Sequence, residues 1–333
     1  MGRQVLCRGP GPHGSVRMSV DAIQPLVGRR ILVTGASGFI GSALVGRLHA
    51  AGAEVHGFTR RDREPDAAVR HWRIGDVADL DAVRAAMAAS RPDTVFHLAA
   101  EVIGGRGIEA VLPTLRANLV GAVHVLQAAS EIRCSRIVIF GSFLQEPVGR
   151  SPDVVPSSPY GAAKWAAAAY GRMFHALYGS PVVIVRPSMI YGPGQRDLEK
   201  IVPYTTLSLL QDRAPRLSSG RWRVDWLYVD DLARALVATA VVDGLEGRTL
   251  DLGSGEQRSI REVVLAIAAL TGSSVKPMFG SRPDRPFEPR RPAVDVETVA
   301  SILGWAPAVT IREGLARTID WYRAELAAGR IDL

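Results

Sequence analysis

The chain has 333 residues, 47% hydrophobic and 22% charged, a composition that excludes a disordered or fibrous protein. Its net charge of +7 rests on arginines scattered along the whole chain, with lysine only at 164, 200 and 276, so there is no basic block of the kind that grips nucleic acid, and phosphorylated small molecules are the better partner class. Cys7 and Cys134 are too few and too far apart for a disulfide framework or a metal cluster, which points to the cytoplasm, and no stretch approaches the roughly 18 apolar residues of a membrane span.

Residues 1–27 are rich in Gly, Pro, Arg and Ser and lack a signal peptide's apolar core, so they read as a flexible extension, with Met18 an alternative start. Beyond them, short β-branched runs alternate with alanine-rich segments, the rhythm of an α/β protein with a doubly wound parallel sheet. Strands are predicted at Arg30 to Val33, Glu54 to Phe58, Arg70 to Ile74, Thr94 to Leu98, Arg136 to Phe140 and Val182 to Arg186. Helices are predicted at Phe39 to Ala51, Leu80 to Ala89, Leu115 to Glu131 and Tyr160 to Tyr178, each with apolar residues at helical spacing. After Pro187 the rhythm gives way to Gly and Pro, with amphipathic helices near Ile260 to Leu270 and Ile311 to Ala328. The division expected is a Rossmann-type dinucleotide domain, 28–187 plus 223–253, and a smaller α/β substrate domain, 188–222 plus 254–333.

Between the first strand and its helix lies Thr34-Gly35-Ala36-Ser37-Gly38-Phe39-Ile40-Gly41. Glycine at 35, 38 and 41 permits a tight turn and lets backbone N–H groups approach a pyrophosphate, whose charge the helix dipole favours. After the second strand, Thr59 is followed by Arg60 and Arg61, where an acid for a ribose 2′-hydroxyl is often found. Two guanidiniums suit a 2′-phosphate, which favours NADP over NAD, although surface arginines in an arginine-rich chain read the same way. Asp76, before Val77, either accepts from an adenine amino group or caps the next helix.

Tyr160 and Lys164 stand four apart at the start of a predicted helix, so both project from one face. An ammonium beside a phenol, together with an oxidised nicotinamide, lowers the phenol's pKa and lets it exchange a proton at neutral pH. Such a pair serves hydride chemistry, in which a proton must reach an alkoxide while hydride moves on the nicotinamide.

With Phe96-His97-Leu98-Ala99-Ala100, Asn118, Arg186-Pro187, Tyr191-Gly192-Pro193-Gly194, Tyr228-Val229-Asp230-Asp231 and Leu303-Gly304-Trp305, these motifs follow one another in an order that resembles the extended short-chain dehydrogenases, from about Ile31 to Tyr322. That family comprises nucleotide-sugar epimerases, dehydratases and ketoreductases. The resemblance implies that Leu98, Ala99, Ala100, Asn118 and Pro187 line the cofactor with the glycine loop, that Lys164 holds the ribose, and that Ser142 polarises the reacting oxygen. It further implies that Arg285, with Arg223 as a second candidate, clamps a nucleotide diphosphate, and that two copies pair through the Tyr160 helix and the one before it. No metal is implied. Four positions depart from the family. Phe143 and Leu144 stand where the 4,6-dehydratases carry Asp and Glu, Met189 replaces an Asn, and Val224 replaces an Arg. A side chain without a proton cannot move one, so the resemblance points away from dehydration and toward an NADPH-dependent 4-ketoreductase acting on a dTDP-4-keto-6-deoxyhexose type of substrate, with a nucleotide-sugar 4-epimerase holding NAD as the alternative. A cofactor-binding regulator without catalysis is the remote third reading.

Overall fold

The computed structural model describes residues 26–102, 106–143, 155–284, 288 and 290–331. Seven parallel strands form the main sheet: β1 (Arg30–Thr34), β2 (Glu54–Thr59), β3 (His71–Ile74), β4 (Thr94–His97), β5 (Arg136–Phe140), β6 (Val182–Pro187) and, much later in the chain, β9 (Thr249–Leu252). Their order is β3-β2-β1-β4-β5-β6-β9, so the connection reverses direction between β1 and β4 and leaves a crevice at the carboxyl ends of those two strands.

The inner strands β2, β1, β4, β5 and β6 are buried on both faces, so their two sets of alternating side chains enter two different cores, while the edge strands β3 and β9 are only partly covered. Ile31, Val33, Val138, Phe140, Val183 and Val185 pack toward α1 (Phe39–Ala50) and α7 (Val229–Val241). Leu32, Val95, Ile137, Ile139 and Ile184 pack toward α2 (Leu80–Ser90), α4 (Gly121–Glu131) and α5 (Pro159–Tyr178). At about 25 cal/mol per Å² of apolar surface, this double burial is the main term holding the sheet. Arg136, itself buried, donates to the carbonyls of Thr239 and Val242 at 2.8 and 2.9 Å, so its charge caps the end of α7 where the helix dipole is negative.

The second unit is built on a three-stranded sheet, β7 (Met189–Tyr191), β8 (Arg223–Tyr228) and β10 (Gln257–Ser259), covered by α6 (Ile201–Leu210), α8 (Ile260–Thr271) and α10 (Ile311–Ala327). Tyr191, Trp226, Tyr228, Ile267 and Leu315 form its core. The short α9 (Val296–Leu303) packs against α7 and β9 of the large unit.

Three expectations need correction. Residues 223–228 do not return to the main sheet, because β8 pairs with β7 and β10; the return begins at α7 and β9. The helix expected from Leu115 starts earlier, as α3 (Val111–Thr114), and passes through a wide π turn at Leu115–Val120 before α4. Packing also begins before residue 28: Leu26 is buried and its N–H donates to the Ala51 carbonyl at 2.8 Å. The rest of the expected extension, 1–25, lies outside the described residues.

Candidate active site

The glycine loop sits at the switch point. Gly35 has φ +71°, and a Cβ there would lie 2.7 Å from the Ala99 nitrogen, so glycine alone lets the β1 turn close over the end of β4. At Gly41 a Cβ would lie 2.1 Å from the Gly35 oxygen, which lets α1 pack on the loop. Gly38, the exposed N-cap of α1, is different: a Cβ there would meet only the Gly35 oxygen, at 3.2 Å. The protein barely needs glycine at 38, yet the position faces outward at a helix start that has no side-chain cap, which is the cradle a pyrophosphate fits. Gly38→Ala is therefore expected to change the melting temperature by less than about 2 °C while weakening dinucleotide binding at least about tenfold. Gly41→Ala should lose both. A calorimetric melt and a dinucleotide titration check the pair, and unaltered affinity in Gly38→Ala would remove the loop from the cofactor site.

Around this cradle the expected cofactor positions converge. Thr59 ends β2 with its hydroxyl 3.4 Å from that of Ser37, and Arg60 and Arg61 follow it, exposed. Arg60 reaches Glu101 at 3.8 Å. Beside Ser37 opens a cavity of about 900 Å³ lined by Asp62, Arg63, Glu64, Asp66 and Trp72 among others, so carboxylates outnumber guanidiniums there. Asp76 is exposed and accepts from the N–H of Ala78; the cap of α2 is Asp79, which accepts from Asp81 and Ala82. Val77 is buried against Gly121 of α4. Leu98 and Ala99 are tied to β1, the first through the Thr34 carbonyl at 3.1 Å and the second through the Thr34 hydroxyl at 3.2 Å. Asn118, fully buried in the π turn, accepts from the N–H of Glu101 at 2.7 Å and donates to its carbonyl at 3.0 Å. That two-point clamp fixes the segment after Ala100, and a π turn is a common way of aiming such a side chain.

Ser142 follows β5, held between Gly141, whose N–H donates to Val185, and Phe143, whose N–H donates to the carbonyl of Pro187 at 3.0 Å. α5 begins at Ser158, whose hydroxyl accepts from Gly161 at 3.0 Å, with Pro159 at the first helical position. This start places Tyr160, half-buried, in hydrogen-bonding contact with Ser142. One turn on, Lys164 is only 2% exposed and donates to the Phe140 carbonyl at 2.9 Å. The three residues thus meet at the carboxyl end of β5.

Their electrostatics differ from the sequence expectation in one respect. Burial pushes the Tyr160 phenol up to about 12, only partly offset by Ser142, and Lys164 does not pull it down, because the ammonium is turned to the Phe140 carbonyl. Burial in turn brings Lys164 down to about 8. Nearby, the Thr34 hydroxyl is 2.9 Å from Nδ1 of a fully buried His97.

On the other side of Ser142, Phe143 is buried and the Arg291 guanidinium lies over its ring at 5.3 Å. Phe143, Arg291, Met189 and Arg223 line one small cavity of about 10 Å³, room for roughly a single water. Arg223 is not free for an anion, being paired with Glu262 at 2.9 Å and donating to the Gln257 carbonyl. Arg285 and Leu144 lie outside the described residues. Sequence reasoning gave no role to Thr34, His97 or Arg291; the signal for His97 was a basic side chain ending the apolar run Thr94-Val95-Phe96.

The remaining motif residues hold the framework. Asp230 pairs with Arg47 of α1 at 2.8 Å, and buried Asp231 accepts from the N–H groups of Ala308 and Val309 while its carbonyl takes the Trp305 indole N–H. Arg186 makes a two-pronged pair with Asp251, at 2.6 and 2.7 Å, that locks β9 to β6.

Residues 31–253 match the NAD dependent epimerase/dehydratase family. The chain is 31% identical over 312 residues to the UDP-glucose 4-epimerase of Mycolicibacterium smegmatis, covering 88% of this chain and 98% of that protein. It is likewise 31% identical over 316 residues to a dTDP-glucose 4,6-dehydratase of Streptomyces niveus, covering 88% and 93%. Among solved structures it resembles the Thermus thermophilus UDP-glucose 4-epimerase complex with NAD, with TM-score 0.77, 29% identity and coverage of 88% and 99%.

Proposed function

Since this chain belongs to the NAD dependent epimerase/dehydratase family of nucleotide-sugar enzymes, we propose that it reduces a keto group of a nucleotide-linked sugar, best fitted by the 4-keto carbon of a dTDP-4-keto-6-deoxyhexose type of substrate. The observation that carries this reading is the replacement of proton-moving chemistry beside Ser142 by buried, stacked Phe143, next to a phenol that stays protonated. A bound nicotinamide supplies the hydride. Ser142 holds the substrate oxygen, Tyr160 gives it the proton, and Lys164 has two further N–H bonds, beyond the one to Phe140, with which to hold ribose hydroxyls.

The pH dependence follows from two groups. Reduction needs Tyr160 protonated and Lys164 charged; with the phenol near 12 and the ammonium near 8, both hold at neutral pH, and the ammonium is lost first as pH rises. The expected kcat/KM profile is flat at neutral pH and falls through about 8. A profile that instead keeps rising above that range toward the phenol's own, as a phenolate base requires, would contradict the reductase.

The second reading is a nucleotide-sugar 4-epimerase with NAD, favoured by the cofactor's 2′ region. Arg60 is engaged by Glu101, and Asp62, Glu64 and Asp66 line the adjoining cavity, surroundings that repel a 2′-phosphate, whereas the exposed Arg61 beside them is what supports NADP. Incubation with 4-keto and 4-hydroxy sugar nucleotides separates the two. Stoichiometric oxidation of NADPH or NADH supports the reductase, and interconversion without consumption supports the epimerase.

For assembly the favoured partner is a second copy. Ile108, Val111, Leu112 and Leu115 recur at one helical face and are exposed, next to α5 with exposed Trp165 and Leu177. Leu112→Glu should convert a dimer to a monomer in sedimentation; a monomeric parent protein would refute the pairing.

A further inference from the structure

An exposed carboxylate just past β3 stands on a backbone that is fixed from both sides. Asp76 is exposed, yet the residue before it, Gly75, donates its N–H to the carbonyl of Thr59, the last residue of β2, at 2.9 Å. The residue after it, Val77, is buried, and its carbonyl lies 3.1 Å from Nδ1 of His124 on α4. A carbonyl only accepts, so that ring nitrogen carries a hydrogen and donates it. The Val77 side chain is seated as well. A Cβ at Gly121, three residues before His124, would lie 2.6 Å from a Val77 methyl, so glycine there lets α4 come this close to the loop.

Capping α2 does not explain this fixing, because the cap is Asp79. One oxygen of Asp76 closes its own loop, accepting from the N–H of Ala78 at 2.9 Å, and the side chain makes no other hydrogen bond among the described residues. Water satisfies an exposed carboxylate in any direction, so a rigid backbone beneath one serves a partner that arrives from outside. The glycine loop is close by, since the Thr59 hydroxyl is 3.4 Å from that of Ser37. α4 also reaches the segment after β4, through the Asn118 clamp on Glu101 in the preceding π turn. One stretch of helix therefore registers the loops after β3 and after β4, with β1 and its glycine loop between them.

We infer that His124 is a positioning residue for the dinucleotide: by holding the Val77 carbonyl it aims the Asp76 carboxylate at the exocyclic amino group of the adenine, and so sets the preference for that base. The amino group donates and the carboxylate accepts. A base with a keto oxygen at the same place presents an acceptor to an acceptor, and the contact is lost. The inference rests on the dinucleotide site at the glycine loop and not on which reaction follows, so a titration without substrate tests it.

The probes are NADH and its analogue with hypoxanthine in place of adenine, in which a keto oxygen replaces the amino group. Each is titrated by nicotinamide fluorescence into protein freed of copurified dinucleotide. The parent protein should bind NADH about tenfold more tightly than the analogue. His124→Leu keeps the bulk and removes the donor; it should weaken NADH about fivefold and the analogue less than about twofold, so that the preference collapses. His124→Asn, whose amide N–H can reach the same carbonyl, should restore the preference, whereas a purely structural role for the ring would weaken both dinucleotides alike. Nitrogen-15 spectra of the parent protein should show hydrogen on Nδ1 of His124 with and without NADH, a result that needs no variant to fold. Equal binding of the two dinucleotides by the parent, an unchanged preference or equal weakening in His124→Leu, or a bare Nδ1 would overturn the proposal. A failed reductase assay with the preference for adenine intact would count against the reaction and leave the His124 role standing.

Discussion

Tyr160→Phe is expected to lower kcat by about a hundred- to ten-thousand-fold, the range of a positioned general acid, and to leave the fold and dinucleotide affinity unchanged. The substitution removes one oxygen. Among the described residues that oxygen's hydrogen-bonding partner is the side chain of Ser142, which follows β5 and is not part of the sheet. Because the phenol sits near 12, it is a proton donor over the whole working range, and phenylalanine has nothing to give in its place. Stopped-flow measurement of NADPH or NADH oxidation reads the step directly. Turnover within threefold of the parent rate would mean that the proton comes from elsewhere, and the assignment of Ser142 and Lys164 would fall with it.

The second large effect concerns stability. Asp225 on β8 is buried, and its carboxylate accepts from the N–H and hydroxyl of Ser254 at 2.6 and 2.9 Å, from the N–H groups of Gly255 and Val294 at 3.0 Å each, and from the Ser188 hydroxyl at 3.4 Å. These donors come from the segments after β6 and β9 and before α9, so one side chain ties the small sheet to the edge of the large one. Asp225→Ala leaves three backbone N–H groups without their acceptor and should cost about 3–5 kcal/mol. In a chain of this size that is a fall in melting temperature of roughly 10 °C. Asp225→Asn, which retains one carbonyl oxygen, should lose about half as much. Scanning calorimetry decides, and a shift below about 2 °C for the alanine variant would show that water replaces the carboxylate as acceptor.

Most of the large unit was legible in the sequence. Short apolar runs rich in β-branched residues placed β1, β2, β4, β5 and β6 to within a residue or so, because a strand buried on both faces has little tolerance for a polar side chain. The glycine loop was legible because backbone geometry restricts what can stand at Gly35 and Gly41. Tyr160 and Lys164 were legible because a four-residue helical spacing is itself a statement about a shared face. The second unit was read less well. Arg223 to Tyr228 is an alternating strand that suits either sheet, and only its pairing partners, Met189 to Tyr191 and Gln257 to Ser259, say which one it joined.

The sequence by itself therefore determined the elements and their order along the chain, the glycine loop after β1 and the shared helical face of Tyr160 and Lys164, which follow from local periodicity and local backbone geometry, while the resemblance singled out Ser142. The tertiary structure alone decided that Lys164 turns to Phe140, that Thr34 holds His97, that Arg60 meets Glu101 and that Arg291 lies over Phe143. The partners in these contacts stand far apart along the chain. Thr34 and His97 meet because strands β1 and β4 end side by side, and that strand order is a property of the packed sheet which no local pattern encodes. The same packing keeps water from Lys164 and partly covers Tyr160, which is why their proton affinities, unlike their positions, could not be read from the spacing.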